Sequence, residues 1–389
     1  MPNEHLSYEQ RAAQAASEIS RFNAFFPILT SLGNRWAATR PFEGQTIGIS
    51  AHLTTITGAL VRELLLGGGT WAICGVNDAT TDHGVVDLLR DSGVHVYTTG
   101  SRKDAPFQVL DHHPTLVADV GSDLLATLVR KRPEQAGEVR GAAVVAKSGL
   151  DQLKGLTLPF GVININDSRL KEAVENRHGV GEGLWHAIQA LTGMHLSGRR
   201  VGVVGYGPVG RGVAAYARAA GAAVEVIEVD PVRRLVAHYD GYPTPGLEEC
   251  LGRVRILVTS TGRKGVIRAD QLKSSRDGLV LVNAGHGGEE IDVEGIRSSA
   301  VMVDHIADHV VRYGLESGPS VVVLGDGYPL NIVTNAGSPE PVLLHFAVLG
   351  LTLEWLTRNA LNPGVHPALS AIENEAAELA LRALGKAVG

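Results

Sequence analysis

The fold of this chain is decided by the segment Val201-Gly-Val-Val-Gly205-Tyr-Gly207-Pro208-Val209-Gly210-Arg-Gly212. The segment predicts an apolar strand that turns at a Gly-x-Gly-x-x-Gly pattern and opens a helix over residues 209–220. Gly205 permits the tight turn, Gly207 lets the backbone approach a pyrophosphate, and Gly210 lets the helix pack closely on the strand. The first helical N–H groups, beside Pro208 and Val209, then point at the phosphates. The pattern predicts a dinucleotide-binding domain.

The acidic residue Glu228 ends the next predicted strand, 23 residues after Gly205. A carboxylate at this place accepts hydrogen bonds from the adenosine ribose hydroxyls, and its charge repels a 2′-phosphate. Glu228 therefore predicts NAD rather than NADP as the cofactor. The glycine pattern alone is also compatible with an α/β domain that binds no nucleotide.

Predicted strands alternate with amphipathic helices along most of the chain. The strands are predicted at residues 46–50, 70–75, 95–99, 115–120, 141–146 and 161–164, and then at 200–204, 223–229, 256–259, 279–283 and 321–324. Predicted helices include 55–66, 81–92, 123–130, 182–192, 341–355 and 367–388. Continuous apolar strands at this spacing indicate parallel sheets covered by helices on both faces. The fold class is thus α/β.

We predict two doubly wound parallel-sheet domains, the second a Rossmann NAD-binding domain. Residues 1–180 would form a substrate-binding and catalytic domain, and residues 181–327 the NAD-binding domain. Residues 328–389 would return to the first domain as helices and end in a C-terminal helix. Hinges are expected near 179–183 and 325–329, because glycine recurs there and no linker is evident.

Composition excludes several classes of protein. The 389 residues carry a formal net charge of −6 and no basic cluster, which argues against nucleic acid as a partner. The only cysteines, Cys74 and Cys250, cannot form a disulfide scaffold or a zinc cluster. No apolar stretch reaches the roughly 18 residues needed to cross a membrane. We expect a cytoplasmic protein.

Two Asp-His pairs could suggest a metal site. Asp304-His305 and Asp308-His309 lie at helical spacing, yet the run 301–313 is equally compatible with a strand. A third ligand is not evident, so we predict that no metal is bound.

One segment carries a family resemblance: Asn164-Ile-Asn-Asp167-Ser168-Arg-Leu-Lys171-Glu-Ala-Val-Glu175-Asn176. It resembles the segment that precedes the NAD domain in S-adenosylhomocysteine hydrolases. The likeness spans roughly residues 25–349 and continues, in order, in the motifs Ala51-His52-Leu53-Thr54, Thr81-Asp82-His83, Thr259-Ser-Thr-Gly262 and Asn283-Ala-Gly-His286. It implies that tightly held NAD oxidises the 3′-hydroxyl of a nucleoside, which makes the C4′ proton removable and lets a 5′ substituent leave. It also implies a homo-oligomer, a dimer or a tetramer.

The resemblance also implies individual roles. Lys171 would assist deprotonation of the 3′-hydroxyl, His52 would donate a proton to the leaving group, and His286 would lie near the sugar hydroxyls. Thr54 and Thr81 would bind substrate. Asn176 would hold the sugar or the nicotinamide. The remaining cofactor-lining residues would be Thr259, Ser260, Thr261 and Asn283.

The chain departs from the family pattern mainly in the substrate half. The family's aspartate pair is matched to Asp111-His112, and its Asp-Asn pair to Glu175-Asn176. Ile56 stands where a glutamate is expected. The paired glutamates followed by threonines become Val144-Val145-Ala146-Lys147-Ser148. We predict Asp111, His112 and Glu175 as catalytic candidates and Lys147 as a substrate-binding candidate.

These departures predict the same redox-assisted elimination on a different nucleoside. Relatives in nucleoside-antibiotic pathways include a dehydratase of an adenine nucleoside in the angustmycin pathway. We therefore predict a dehydratase. A true S-adenosylhomocysteine hydrolase that releases homocysteine and adenosine, and a catalytically silent NAD-binding regulator, are the alternatives.

Overall fold

The computed structural model describes residues 6–98, 104–120, 123–285, 289–316 and 318–385, except the side chain of Ser148. The chain forms two compact units, one of Met1–Glu172 with Pro339–Gly389 and the other of Ala173–Ser338. The sequence analysis places these borders at 180/181 and 327/328. The second unit therefore begins earlier and ends later than expected.

In the described part of the chain, the strands follow one another in this order: β1 (Thr46–Ala51), β2 (Thr70–Gly75), β3 (His95–Tyr97), β4 (Leu116–Asp119), β5 (Gly141–Val144), β6 (Gly161–Asn164), β7 (Arg200–Val204), β8 (Ala223–Ile227), β9 (Ile256–Thr259), β10 (Leu279–Asn283), β11 (Ala300–Ala307), β12 (Val310–Leu315), β13 (Ser320–Leu324) and β14 (Gly364–Pro367).

The α-helices are α1 (Tyr8–Phe25), α2 (Ile28–Thr39), α3 (Thr55–Leu65), α4 (His83–Asp91), α5 (Ala105–Leu110), α6 (Asp123–Lys131), α7 (Pro133–Ala136), α8 (Lys147–Leu153), α9 (Gly181–Thr192), α10 (Pro208–Ala219), α11 (Pro231–Tyr239), α12 (Leu247–Leu251), α13 (Val293–Ser298), α14 (Leu330–Val333), α15 (Pro339–Arg358) and α16 (Ser370–Ala383). A π-helix spans Lys171–Val180, and 3₁₀ turns span Asp78–Thr80, Ala269–Ser274 and Gly325–Gly327.

The first unit contains a parallel sheet of seven strands in the order β14-β6-β5-β4-β1-β2-β3. Strands β4, β5 and β6 are buried along their whole length. This burial agrees with their continuous apolar sequences and confirms the predicted α/β class for this unit. The strand β14 was not predicted, since Gly-Val-His-Pro has no apolar run.

The second unit contains a sheet in the order β11-β12-β13-β10-β9-β7-β8. The five strands from β13 to β8 are parallel, as predicted. Strands β12 and β11 extend this sheet as an antiparallel hairpin, which the sequence analysis did not predict. The order of strands reverses beside β7, because β8 lies on one side of β7 and β9 on the other. Ligands of open α/β sheets bind at such a switch point.

The hairpin also accounts for the two Asp-His pairs. Asp304 and His305 are consecutive residues of β11, and Asp308 and His309 form the turn, where His309 has a φ of 61°. Successive strand residues point to opposite faces, so the pairs do not share a helical face. Among the described residues, no group of three or more His, Cys, Asp or Glu side chains could hold a metal ion. The helices in the described ranges include none that is long and apolar enough to span a membrane.

Candidate functional site

The glycine loop follows β7 and touches the end of β9. Gly205 has a φ of 96°, and a Cβ added there would lie 2.9 Å from the carbonyl oxygen of Ser260. A Cβ on Gly210 would lie 2.0 Å from the carbonyl oxygen of Gly205. The Ser260 hydroxyl donates hydrogen bonds to the carbonyls of Val204 and Gly205, each at 3.2 Å. At Gly205 and Gly210 a side chain would therefore disrupt the loop.

Gly207 differs from these two glycines, because a Cβ added there would be in ordinary contact with one side chain and would not be crowded. Beyond its chain neighbours and its own helix, the nearest heavy atom to a Cβ added there is Nη1 of Arg233, 3.8 Å away. Gly207 is also the N-cap of α10, and no side chain caps this helix. The first N–H groups of a helix have no partner inside the helix and attract anions. The loop therefore fits the pyrophosphate of a dinucleotide, with Pro208 and Val209 in the first turn of α10.

The carboxylate of Glu228 is held beside the glycine loop by backbone amides. Its Oε2 accepts a hydrogen bond from the N–H of Tyr206 at 2.8 Å. Its Oε1 accepts from the N–H groups of Val229 and Asp230, at 2.7 and 2.9 Å. These bonds orient the carboxylate at the carboxyl end of β8, where a Rossmann domain binds the adenosine ribose.

The predicted cofactor-lining residues of β9 and β10 are joined by hydrogen bonds. The Thr259 hydroxyl, which is buried, donates to Oδ1 of Asn283 at 3.2 Å. The amide nitrogen of Asn283 donates to the carbonyl of Gly327 at 2.8 Å, and Oδ1 accepts from the N–H of Gly285. Asn283 thus links the ends of two parallel strands to the Gly325–Gly327 turn.

Glu290 is a site residue to which the sequence analysis gave no role. Its side chain is buried, and its carboxylate accepts hydrogen bonds from the N–H and the hydroxyl of Thr261, each at 2.9 Å. It also accepts from the N–H of Gly262 at 2.7 Å. In the sequence, the only sign that this carboxylate is buried is its position next to the apolar Ile291. Glu290 fixes the loop that follows β9.

Two further predicted residues of the second unit lie in the π-helix: Glu175 is buried and Asn176 is half-buried. A Cβ on Gly212 would lie 2.2 Å from the carbonyl oxygen of Arg177, so α10 and the π-helix are in close contact. The predicted His286 lies outside the described residues.

In the first unit, His52 directly follows β1. Its Nδ1 lies 2.7 Å from the Thr80 hydroxyl oxygen. The Thr80 hydroxyl donates its hydrogen to the carbonyl of Asn77 at 3.1 Å, so its oxygen accepts from Nδ1–H of His52. With Nδ1 engaged by Thr80, the other ring nitrogen of His52, Nε2, is the one that the predicted proton transfer would use.

The two predicted substrate-binding threonines make local hydrogen bonds. Thr54 is the N-cap of α3, and its hydroxyl oxygen accepts from the N–H of Thr57 at 3.4 Å. Thr81 is buried, and its hydroxyl donates to the carbonyl of Asn77 at 2.9 Å. Lys147 is exposed at the start of α8, where its ammonium group pairs with Asp151 at 3.1 Å. Their contacts with substrate stay predictions.

Lys171 opens the π-helix, and its backbone N–H donates to the Ser168 hydroxyl at 3.0 Å. A residue missed by the sequence analysis, His345 of α15, is 1% exposed. Burial lowers the pKa of His345 well below its ordinary value, and the positive charge of Lys171 lowers it further. His345 is therefore a neutral imidazole, and the positive charge of Lys171 disfavours its protonation. Its signal in the sequence was a single histidine inside an apolar helix.

Asp111 and His112 require a correction. They precede β4, whose first residue Leu116 pairs with Ile47 near the start of β1, so they lie at the amino edge of the sheet. His52 lies at the opposite, carboxyl edge. Within the first unit, the structure therefore does not bring Asp111 and His112 together with His52, Thr54 or Thr81.

The contacts of these two residues agree with that location. The exposed Asp111 forms an ion pair with Arg132 at 3.0 Å. The ring of His112 stacks on His95 with centroids 4.2 Å apart, and its Nε2 is hydrogen-bonded to the Tyr97 hydroxyl at 2.6 Å. Burial lowers the pKa of His112, the positive charge of His95 adds to this, and Asp111 opposes it.

The carboxylate at the carboxyl end of β4 is Asp119, which the sequence analysis missed. Asp119 is fully buried and accepts a hydrogen bond from the N–H of Leu125 at 2.8 Å. The next residue, Val120, lines a small apolar cavity together with Ala51, Val145 and Phe346. Ile49, Leu60 and Leu349 line it as well, so this cavity is a gap in the packing between β1 and the helices α3 and α15.

Fold and site together define a protein that binds NAD on a Rossmann domain. Residues 176–337 match the family model described as the NAD-binding domain of S-adenosyl-L-homocysteine hydrolase. The chain is 33% identical over 372 residues to the S-inosyl-L-homocysteine hydrolase of Methanopyrus kandleri, covering 92% of this chain and 88% of the relative. It is also 33% identical over 375 residues to the adenosylhomocysteinase of Thermosynechococcus vestitus, covering 93% and 87%. The chain belongs to the S-adenosyl-L-homocysteine hydrolase family, and its cofactor is NAD.

Proposed function

We propose that this protein catalyses a redox-assisted elimination on a nucleoside, and that the reaction is the dehydration of an adenine nucleoside. The observation that carries the proposal is that Val144 and Val145, at the end of β5, are buried apolar residues. The resemblance implies carboxylates that hold sugar and base at Val144 and Val145. Each lost charged hydrogen bond removes about 1.5–3 kcal/mol if nothing replaces it. We therefore infer that the substrate differs from S-adenosylhomocysteine.

The proposed reaction removes one water molecule and is redox-neutral overall. Bound NAD supplies the hydride acceptor for the 3′-hydroxyl carbon and the hydride that reduces it again at the end. Oxidation at C3′ acidifies the C4′ proton, which a base removes. The 5′-hydroxyl takes up a proton and leaves as water, and a carbon–carbon double bond forms between C4′ and C5′. The product has lost one water molecule and is otherwise at the oxidation level of the substrate.

Two side chains of the first unit move protons in this scheme. The Nζ of Lys171 takes the proton of the 3′-hydroxyl as a neutral amine, so its ammonium form must first lose a proton. His52 gives a proton from Nε2 to the departing hydroxyl, while its Nδ1–H stays on Thr80. Both roles come from the resemblance, and the hydrogen bonds of His52 support its role as a proton donor. A silent NAD-binding regulator would have no need of this pair.

Hydrolysis of S-adenosylhomocysteine is the second candidate. The names of the relatives favour it, because they describe hydrolases of S-adenosyl- and S-inosyl-homocysteine. To separate the candidates, the NAD-loaded protein is incubated with an adenine hexulose nucleoside, S-adenosylhomocysteine and S-inosylhomocysteine. Absorbance of reduced nicotinamide is followed, and products are weighed by mass spectrometry. Loss of water from the hexulose nucleoside supports the dehydratase, whereas release of homocysteine alone supports the hydrolase.

The role of Lys171 is tested with the substitution Lys171→Ala. We expect bound NAD to remain and its transient reduction by the nucleoside to fall by about 10²–10⁴-fold, the usual contribution of a positioned acid or base. Lys154→Ala is the matched control, because Lys154 is an exposed lysine of the same unit that pairs with Asp151. Full turnover by Lys171→Ala would refute the role.

A further inference from the structure

The guanidinium group of Arg233 lies against the glycine loop. A Cβ placed on Gly207 would be 3.8 Å from Nη1 of Arg233. Arg233 belongs to the first turn of α11, and its backbone N–H donates to Oδ1 of Asp230 at 2.9 Å. This cap fixes the start of α11 directly after Glu228. The Arg233 guanidinium therefore borders the open space in front of Gly207.

The contacts of Arg233 differ from those of the arginines near it. Among the described residues, its guanidinium has neither a hydrogen-bond nor an ion-pair partner. The next residue, Arg234, donates to the carbonyl of Thr244 at 2.7 Å, and Arg218 donates to the carbonyl of Asp240 at 2.7 Å. Arg233 is thus available to an anion that enters the glycine loop.

We propose that Arg233 is a cofactor-binding residue that contacts the pyrophosphate of NAD. The N-terminus of α10 offers N–H groups and a partial charge of about +0.5, which leaves most of the pyrophosphate charge uncompensated. A guanidinium is suited to this task, because its N–H groups match phosphate oxygens in pairs. Gly207 keeps the space between Arg233 and α10 clear. The inference depends on the NAD assignment and not on the proposed reaction.

The test measures binding to NAD-free protein by calorimetric titration with NAD, ADP-ribose and adenosine. Arg233→Gln is expected to raise the Kd of NAD and of ADP-ribose about tenfold, as the loss of one partly exposed charged hydrogen bond would do. The Kd of adenosine, which lacks phosphate, stays unchanged. Arg234→Gln, the neighbouring control, leaves all three values unchanged.

The dependence of NAD affinity on salt concentration is a second measurement, and a purely structural effect of the substitution would not change it. Binding of NAD to the wild type weakens as salt rises, and Arg233→Gln shows a smaller dependence, because one phosphate contact has been removed. Unchanged NAD affinity in Arg233→Gln overturns the proposal. An equal loss of adenosine binding also overturns it, because the arginine would then act on the nucleoside. These titrations decide the question even if no nucleoside is turned over.

Discussion

The substitution Gly210→Ala tests whether the glycine loop is shaped by backbone contact. The added Cβ would lie 2.0 Å from the Gly205 carbonyl oxygen and 2.8 Å from the Ser260 hydroxyl oxygen. Carbon and oxygen in contact are ordinarily about 3.3–3.6 Å apart. Helix α10 must therefore move away from β7 by about 1 Å or more. This movement would loosen the buried Val213 and Ala214 of α10.

The displacement of α10 lowers the free energy of unfolding. Forcing an extra methyl group into a packed interior costs about 1–3 kcal/mol. In a unit of this size each kcal/mol lowers Tm by about 2–4 °C, so we expect Gly210→Ala to lower Tm by about 2–12 °C. NAD affinity falls as well, because the Gly205 carbonyl and the start of α10 both shift.

Gly207→Ala is the matched control. Gly207 has a φ of −76°, which alanine adopts without strain, and a Cβ there meets only Nη1 of Arg233, at an ordinary contact distance of 3.8 Å. The Tm of the NAD-free variant should therefore stay within about 1 °C of wild type. Its NAD affinity should fall at least about tenfold, since the methyl group occupies the path of the pyrophosphate. Thermal unfolding and NAD titration measure both. A wild-type Tm for Gly210→Ala, or equal destabilisation by both variants, would refute the reasoning.

Two further predictions concern buried ionisable side chains. Glu290→Gln should lower the unfolding free energy by about 1.5–3 kcal/mol, because the neutral amide accepts weaker hydrogen bonds from Thr261 and Gly262 than the carboxylate does. The control Glu289→Gln, at an exposed position, should change the unfolding free energy by less than about 0.5 kcal/mol. Denaturant unfolding of the two variants measures both values. The second prediction concerns His345, whose pKa in the folded protein lies below its ordinary value of 6.5. Above pH 6.5 the imidazole is neutral in both the folded and the unfolded state. Below this pH the unfolded state takes up a proton that the folded state does not, so the folded state loses stability. The contribution of His345 to stability should fall by up to about 1.4 kcal/mol per pH unit below about pH 6.5, so His345→Met should show a flatter profile than wild type; parallel profiles would contradict the prediction.

The sequence predicted the parallel strands well, because each buried strand is an uninterrupted apolar run between turn residues. The predicted strand 161–164 coincides with β6, and 256–259 coincides with β9. Strand β14 has no such run and exists because β6 offers it an edge. Its formation depends on tertiary pairing, which a local pattern does not contain.

The misplaced candidates have a topological cause. Asp111-His112 resembles the family's aspartate pair in sequence, but it precedes β4 and so lies at the amino edge of the sheet. In a parallel sheet, only residues after a strand reach the carboxyl edge, where ligands bind. Asp119 satisfies this rule, since it is the last residue of β4. By this topological rule, Asp119 is the acidic residue of this region that lies at the ligand-binding edge.

The two units also differ in how much of a site the sequence can specify. The glycine loop is built from backbone atoms, and its geometry requires that Gly205 and Gly210 have no Cβ. Such a requirement appears locally as a glycine pattern. The edge of the first sheet is built from side chains on separate strand ends, and valine at positions 120 and 145 is compatible with the same strands. Substrate preference can therefore change there while the fold stays the same, which explains why the sequence specified the cofactor more firmly than the substrate.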